Sequence, residues 1–158
     1  MNIVLLGLPG AGKGTQSIKC QHRYQLTPIA PGDLLREHIK QGTELGKLIA
    51  SYLDQGELAP HEVVMNLVEE QLKPQKDSQG LLFDGFPRAL PQAVSLDRLL
   101  RIHGLQLDGV IFINVPEQKI KQRIKERAKS SGRADDQDET KVARRMQVYY
   151  QETQPLIA

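Results

Sequence analysis

A chain of 158 residues, 39% hydrophobic and 25% charged with a net charge of +2, reads as one globular domain able to bury a core. The small net charge excludes a general attraction to nucleic acid or to an acidic membrane surface, and no run approaches the ~18 apolar residues of a membrane span. The single cysteine, Cys20, excludes an internal disulfide and a zinc site built from four cysteines, and with no basic leader before the first apolar run a cytoplasmic location is expected.

The chain opens on the apolar strand run Ile3 to Leu6, followed by Gly7-Leu8-Pro9-Gly10-Ala11-Gly12-Lys13-Gly14-Thr15 and then a helix predicted over Gly14 to Tyr24. Glycines at this spacing let successive backbone N–H groups turn inward around phosphate oxygens, Lys13 adds a mobile positive charge, and the helix N-terminus favours a bound anion. The hydroxyl of a general phosphate loop would follow Lys13 directly, but here it arrives one residue late, at Thr15.

Leu26 to Ala30 reads as a second strand despite Pro28, and Pro31-Gly32-Asp33 as a break before a short helix from Leu34 that ends at Gln41-Gly42. Leu45, Leu48, Ile49, Tyr52 and Leu53 have the spacing of one buried helical face, which Gly56 stops. Pro60 starts another helix with Val63, Val64, Leu67, Val68 and Leu72 on its apolar side. One crossover helix would have sufficed before the third strand, Leu81 to Asp84, so the excess suggests an inserted binding arm.

Pro91 begins a helix that closes at Gly104. Val110 to Val115 is a continuous apolar strand suited to a parallel sheet buried on both faces. Pro116 and Glu117 start the next helix, a polar loop spans Lys129 to Gly132, and Asp136 with Glu139 predicts a capping pair for a last helix through Met146 and Tyr150. Alternating strands and helices predict an α/β doubly wound parallel sheet with helices on both faces.

Two constellations carry chemistry. Asp84-Gly85-Phe86-Pro87-Arg88 lies at the C-terminal end of the third strand, where open parallel sheets place their ligands, and an acid there can hold metal-bound water. Arg36, Arg88, Arg123, Arg127, Arg133 and Arg144 form the second, because guanidinium forks match phosphate oxygens in bidentate pairs. Arg123 and Arg127 share a helix face at i, i+4.

With Gly32-Asp33-Leu34-Leu35-Arg36, Gln92, and Gly132-Arg133-Ala134-Asp135-Asp136, these motifs stand in an order that resembles adenylate kinase in its short-lid form, over essentially the whole chain. The late Thr15 is what that family shows. The resemblance implies a single P-loop nucleoside monophosphate kinase domain over 1–158, with an AMP-binding arm near 31–60 and a lid near 127–137. It implies that Gly10, Ala11, Gly12, Lys13, Gly14 and Thr15 hold ATP phosphates, with Arg123 and Arg127 reaching ATP from the lid side. Position 31, Arg36, Glu57, Leu58, Ala59, Gly85, Phe86, Pro87, Arg88 and Gln92 would line the AMP site, and Arg133 and Arg144 would bridge the substrates.

The expected reaction is reversible transfer from Mg-ATP to AMP giving two ADP, with Lys13, Asp84 and the arginines Arg88, Arg123, Arg127, Arg133 and Arg144 as catalytic groups. Mg²⁺ would be held by Asp84 through water, zinc is not expected, and the partners would be ATP, AMP and ADP for a monomer. The acceptor phosphate has a second pKa of ~6, so at neutral pH no base is needed. Alternatives are a UMP/CMP kinase, or a nucleotide-binding module with little turnover. Two departures stand out: Pro31 replaces the family's usual Thr and offers neither hydroxyl nor N–H, and the family continues into a final strand and helix that would cover Val110 to Val115 and help hold the ATP adenine.

Overall fold

The computed structural model describes residues 1–72, 79–131 and 136–157. In chain order it gives β1 (Ile3–Leu6), α1 (Lys13–Tyr24), β2 (Thr27–Ile29), α2 (Pro31–Gln41), α3 (Glu44–Asp54), α4 (His61–Gln71), β3 (Leu81–Asp84), α5 (Leu90–Ile102), β4 (Gly109–Phe112), α6 (Glu117–Ser131) and α7 (Glu139–Val148). A π-helical turn, Tyr149–Thr153, and a 3-10 turn, Gln154–Leu156, follow α7 directly. Among the described residues three helices stand between β2 and β3, in line with the excess over one crossover helix.

The four strands form one parallel sheet in the order β2-β3-β1-β4. The register pairs Ile3 with Leu82 and with Gly109, so the segments leaving β1 and β3 emerge side by side at the C-terminal edge. The chain crosses from one side of β1 to the other between β3 and β4, which makes this edge the topological switch point where such sheets take ligands.

Side chains alternate between the two faces. Val4, Leu6, Ile29 and Phe83 join Leu35, Ile49, Val68, Phe86 and Leu100 in the main core beneath α2 to α5. Ile3, Leu5 and Leu82 turn the other way, onto Leu26 and Cys20. Each such aliphatic or aromatic side chain contributes ~1.5–3 kcal/mol when fully buried. A third cluster, Leu8, Ala11, Ile120, Ile124, Met146 and Tyr149, seats α6 and the end of α7 against the loop after β1.

Several local expectations are corrected. α2 begins at Pro31 rather than Leu34, since a proline at the first helical position lacks only an N–H the helix does not use. α6 continues to Ser131, through most of the polar segment read as a loop. The cap of α7 is Asp138, whose carboxylate accepts from the N–H groups of Thr140 and Lys141, while Asp136 is buried elsewhere. The fourth strand ends at Phe112, and it is not buried on both faces: Val110, Ile111 and Phe112 are 54%, 46% and 39% exposed. As the edge of the sheet among the described residues, β4 has a neighbour on one side only.

Candidate functional site

The loop after β1 is shaped by glycine. Gly10 and Gly12 take φ values of 88° and 98°, a region that side chains with a Cβ rarely adopt, and a Cβ on Gly10 would lie 2.7 Å from buried Ile124. Gly12 caps α1, whose first internal hydrogen bond runs from Gln16 N–H to Gly12 O. The amides of Lys13, Gly14 and Thr15 precede that bond and have no carbonyl of their own helix to meet, so they form an anion cradle at a helix N-terminus.

Lys13 lies over this cradle, its Nζ donating to Gly7 O at 2.6 Å and Leu8 O at 3.0 Å. Burial, reinforced by the nearby Arg88 charge and resisted by Asp84, lowers its pKa from 10.5 to about 7. Asp84 ends the neighbouring strand, where burial pushes its carboxyl up while Lys13, a hydrogen bond from Ser17 and Arg88 pull it back down. Ser17 is itself buried and held by Gln21 Nε2 at 3.0 Å.

On the other side of the opening the arginines converge. A Cβ placed on Gly32 would lie 3.3 Å from Arg88 Nη2 and 3.5 Å from Arg36 Nη2, and one on Gly85 would lie 3.0 Å from Arg88 Nη2 and 3.7 Å from Lys13 Cε. Arg88 Nε donates to Gly85 O at 2.6 Å, and Arg36 pairs with Asp33. Gln92, buried at the start of α5, accepts from Arg88 N–H at 2.8 Å. Pro87 precedes Arg88 and follows a cis peptide bond.

The remaining arginines come from α6 and α7. Arg123 Nη1 reaches Ala11 O at 3.1 Å. Arg127 grips the buried Asp136 carboxylate at both oxygens, 2.5 and 2.8 Å, and Arg145 reaches the same carboxylate at 2.8 Å. Burial works against this carboxylate's charge, but hydrogen bonds from Arg127 and Arg145 outweigh it and hold the Asp136 carboxyl below its usual range.

These groups surround a cavity of about 1070 Å³ at the C-terminal edge of the sheet, slightly above the ~300–1,000 Å³ of ordinary ligand pockets. Its wall includes Gly10 to Thr15, Asp84, Gly85, Arg36, Arg88, Arg123 and Arg127. A narrow extension of about 40 Å³ runs under the arm between Pro31, Glu57, Leu58, Ala59, Phe86 and Gln92. The structure thus brings together nearly all the residues singled out in the sequence. Arg133 lies outside the described residues.

The sequence reading set Arg144 between two substrates. Arg144 turns to Glu57, at 2.7 Å from Nε and 2.6 Å from Nη2, and it is Arg145 that lines the cavity. Helical spacing could have revealed this, because Arg145 lies on the stripe of Val142, Met146 and Tyr149 that packs inward. Ser17, the buried Asp136 and Thr153, which donates to Arg88 O at 2.7 Å, were also missed. Ser17 and Thr153 act through partners remote in the chain, Asp84 and Arg88, and Asp136 through arginines nine residues away on either side, so no adjacent motif marks them.

The family model described as "Adenylate kinase" matches residues 5–158. The chain is 44% identical over 156 residues to an adenylate kinase of Bacteroides fragilis, covering 99% of this chain and 82% of that one. It is 44% identical over 158 residues to an adenylate kinase of Flavobacterium psychrophilum, covering 100% and 83%, and 45% identical over 157 residues to that of Flavobacterium johnsoniae, covering 99% and 83%. With the phosphate cradle, the facing arginines and the parallel sheet beneath them, this match over nearly its whole length means that the chain belongs to the adenylate kinase family.

Proposed function

We propose a division of labour within this cavity for the ATP:AMP phosphotransfer of a nucleoside monophosphate kinase, the activity that family membership gives the chain. The amides and glycines of Gly10 to Thr15 hold the ATP phosphates, and Lys13 swings from the Gly7 and Leu8 carbonyls to the transferring group. Arg88 and Arg36 hold the acceptor phosphate, while Arg123, Arg127 and Arg145 neutralise charge on the phosphoryl oxygens, with Arg133 completing the set. The observation that carries this reading is the meeting of Lys13, Gly85 and Arg88: a group between them lies within reach of both the loop and the acceptor arginines.

The acceptor base is assigned to the side of the narrow extension, which has to widen to admit it; there the Gln92 carboxamide oxygen is engaged by Arg88 N–H and its Nε2 group is left to read the base. Pro31 at its mouth contributes shape and no hydrogen bond, so base choice rests on Gln92. UMP or CMP as acceptor is the disfavoured reading. Residues about 31–60 serve as the AMP arm and about 127–137 as the lid, of which 132–135 lie outside the described residues.

Catalysis is by alignment and charge. The acceptor phosphate is already mostly ionised at neutral pH, so no protein group takes a proton from it. The family's divalent metal is best supplied by Mg²⁺, which keeps several waters and needs only one or two carboxylates besides the phosphates. Asp84, a carboxylate next to the cradle with Asp33 nearby, fits that demand through water. When bound, Mg²⁺ neutralises charge on the phosphate oxygens. A monomer working in the cytoplasm on ATP, AMP and ADP, with no nucleic-acid partner, fits the low net charge, and no helix among the described residues is long and apolar enough to cross a membrane.

An assay offering AMP, UMP, CMP and GMP in turn beside Mg-ATP tests the acceptor assignment. AMP is expected to be phosphorylated fastest; preference for a pyrimidine acceptor would sink the Gln92 reading.

A further inference from the structure

The end of α7 does not continue as an α-helix. It widens into the π turn Tyr149–Thr153, closed by Gln154 N–H donating to Tyr149 O, five residues back. Such turns are rare and concentrate at functional sites, because the extra residue re-aims the side chains that follow. Here Tyr149 and Thr153 both face inward, 6% and 4% exposed, while Tyr150 is 41% exposed. The turn thereby brings a hydroxyl to a backbone carbonyl 65 residues away: Thr153 Oγ1 donates to Arg88 O at 2.7 Å.

Arg88 is then gripped on both sides of its backbone, by Gln92 at the N–H and by Thr153 at the carbonyl, while its guanidinium is anchored on Gly85 O. The carbonyl contact comes from the same continuous stretch that carries Arg145, about two helical turns earlier on α7, so the acceptor arginine and the α7 arginine share one support. We propose that Thr153 is a positioning residue for the transfer reaction, fixing Arg88 from the π turn so that its guanidinium stands ready for the acceptor phosphate. The proposal rests on the assignment of Arg88 to that phosphate. Displacement of a reacting or clamping group by ~1 Å can cost ~10²-fold in rate, so a single well-placed hydrogen bond is enough to matter.

The test compares Thr153→Val, which keeps the shape and loses the donor, with Thr153→Ser, which keeps the donor, each alone and the former also on Arg88→Lys. Thr153→Val should lower kcat about 10- to 100-fold while the KM for ATP stays within about twofold, and Thr153→Ser should recover most of the rate. On the Arg88→Lys background, the added Thr153→Val change should cost less than about twofold, because the group it positions is already altered. Circular dichroism and melting establish that each variant is folded; if the valine variant is not, Thr153→Ala read against Thr153→Ser carries the same comparison. Near-native kcat in Thr153→Val, a serine variant as slow as the valine one, or equal losses on both substrates would overturn the proposal while leaving Arg88 in place. Near-native kcat in Arg88→Lys would overturn the Arg88 assignment and the proposal with it.

Discussion

The two walls of the cavity are built on opposite principles. On the donor wall a contiguous stretch, Gly7 to Thr15, supplies backbone amides and one lysine whose hydrogen bonds go to the loop's own carbonyls. On the facing wall, arginines from separate helices are paired with carboxylates: Arg36 with Asp33 one turn away on α2, and Arg127 and Arg145 with Asp136 between α6 and α7. A phosphate arriving at the donor wall replaces neutral carbonyls, whereas one arriving among the arginines must compete with carboxylates already there. The contrast teaches that the first wall is set by local backbone geometry and the second by ion pairs between side chains.

The largest effect that can break this comparison comes from Lys13→Met. It removes the mobile charge and leaves the amide cradle, so kcat should fall ~10²–10³-fold, as when one preorganised donor to a transition state is lost. The folded protein should not suffer. Because the native pKa lies near 7, well below 10.5, the buried lysine destabilises the fold fully below pH 7; that cost is relieved as pH rises from 7 toward 10.5. The variant should therefore melt at or above the native temperature at pH 7, and a clear fall in Tm would show that Lys13 is structural.

Asp136→Asn probes the other wall. Its side chain is fully buried between Arg127 and Arg145, and removing one partner of a buried pair costs ~3–5 kcal/mol, with the lower end expected here because both arginines keep some exposure. The sign with pH is fixed by the depressed carboxyl: its contribution is fully present above the ordinary carboxylate pKa of 3.8 and is lost as pH falls through the lower native value. Denaturant melts from pH 6 to pH 3 should show that acid-sensitive component in the native protein and not in the variant.

Gln92→Ala removes the group that holds Arg88 N–H and faces the narrow extension. The KM for AMP should rise about tenfold, a change of ~1.4 kcal/mol, and more than kcat falls. Unchanged AMP affinity and base preference would remove Gln92 from the acceptor site. The smallest change is Glu57→Gln, which weakens the half-exposed pair with Arg144; such pairs contribute ~0–1 kcal/mol, so Tm should move by no more than a few degrees. A loss as large as that of Asp136→Asn would erase the distinction between buried and exposed pairs.

How much of this was legible in the sequence follows the same division. The phosphate loop, the strand before it and the helix after it are local, and the spacing of Gly7, Gly12 and Lys13 specified them together. Asp84 to Arg88 was legible for the same reason, as a strand end followed by a turn. The ion pairs were not: Asp136 reads as a helix cap because local spacing cannot reveal that Arg127 and Arg145 enclose it. That Arg145, next to Arg144 in the chain, lines the cavity follows from the inward stripe of α7 rather than from any motif. The exposure of Val110 to Phe112 was hidden too, because burial of an apolar strand depends on its place in the sheet order, which no single run records.

The donor wall's defining property is a lysine charge that the loop holds near its titration point until phosphate arrives. Binding of Mg-ATP should raise the Lys13 pKa well above about 7, so at pH 8, where the nucleotide itself is ionised, each binding event should draw a proton from the buffer. Titration calorimetry of Mg-ATP in two buffers of different ionisation enthalpy measures this directly. Uptake approaching one proton per site at pH 8, shrinking toward zero at pH 6 and absent in Lys13→Met, is the predicted result; binding with no proton uptake at pH 8 would contradict it.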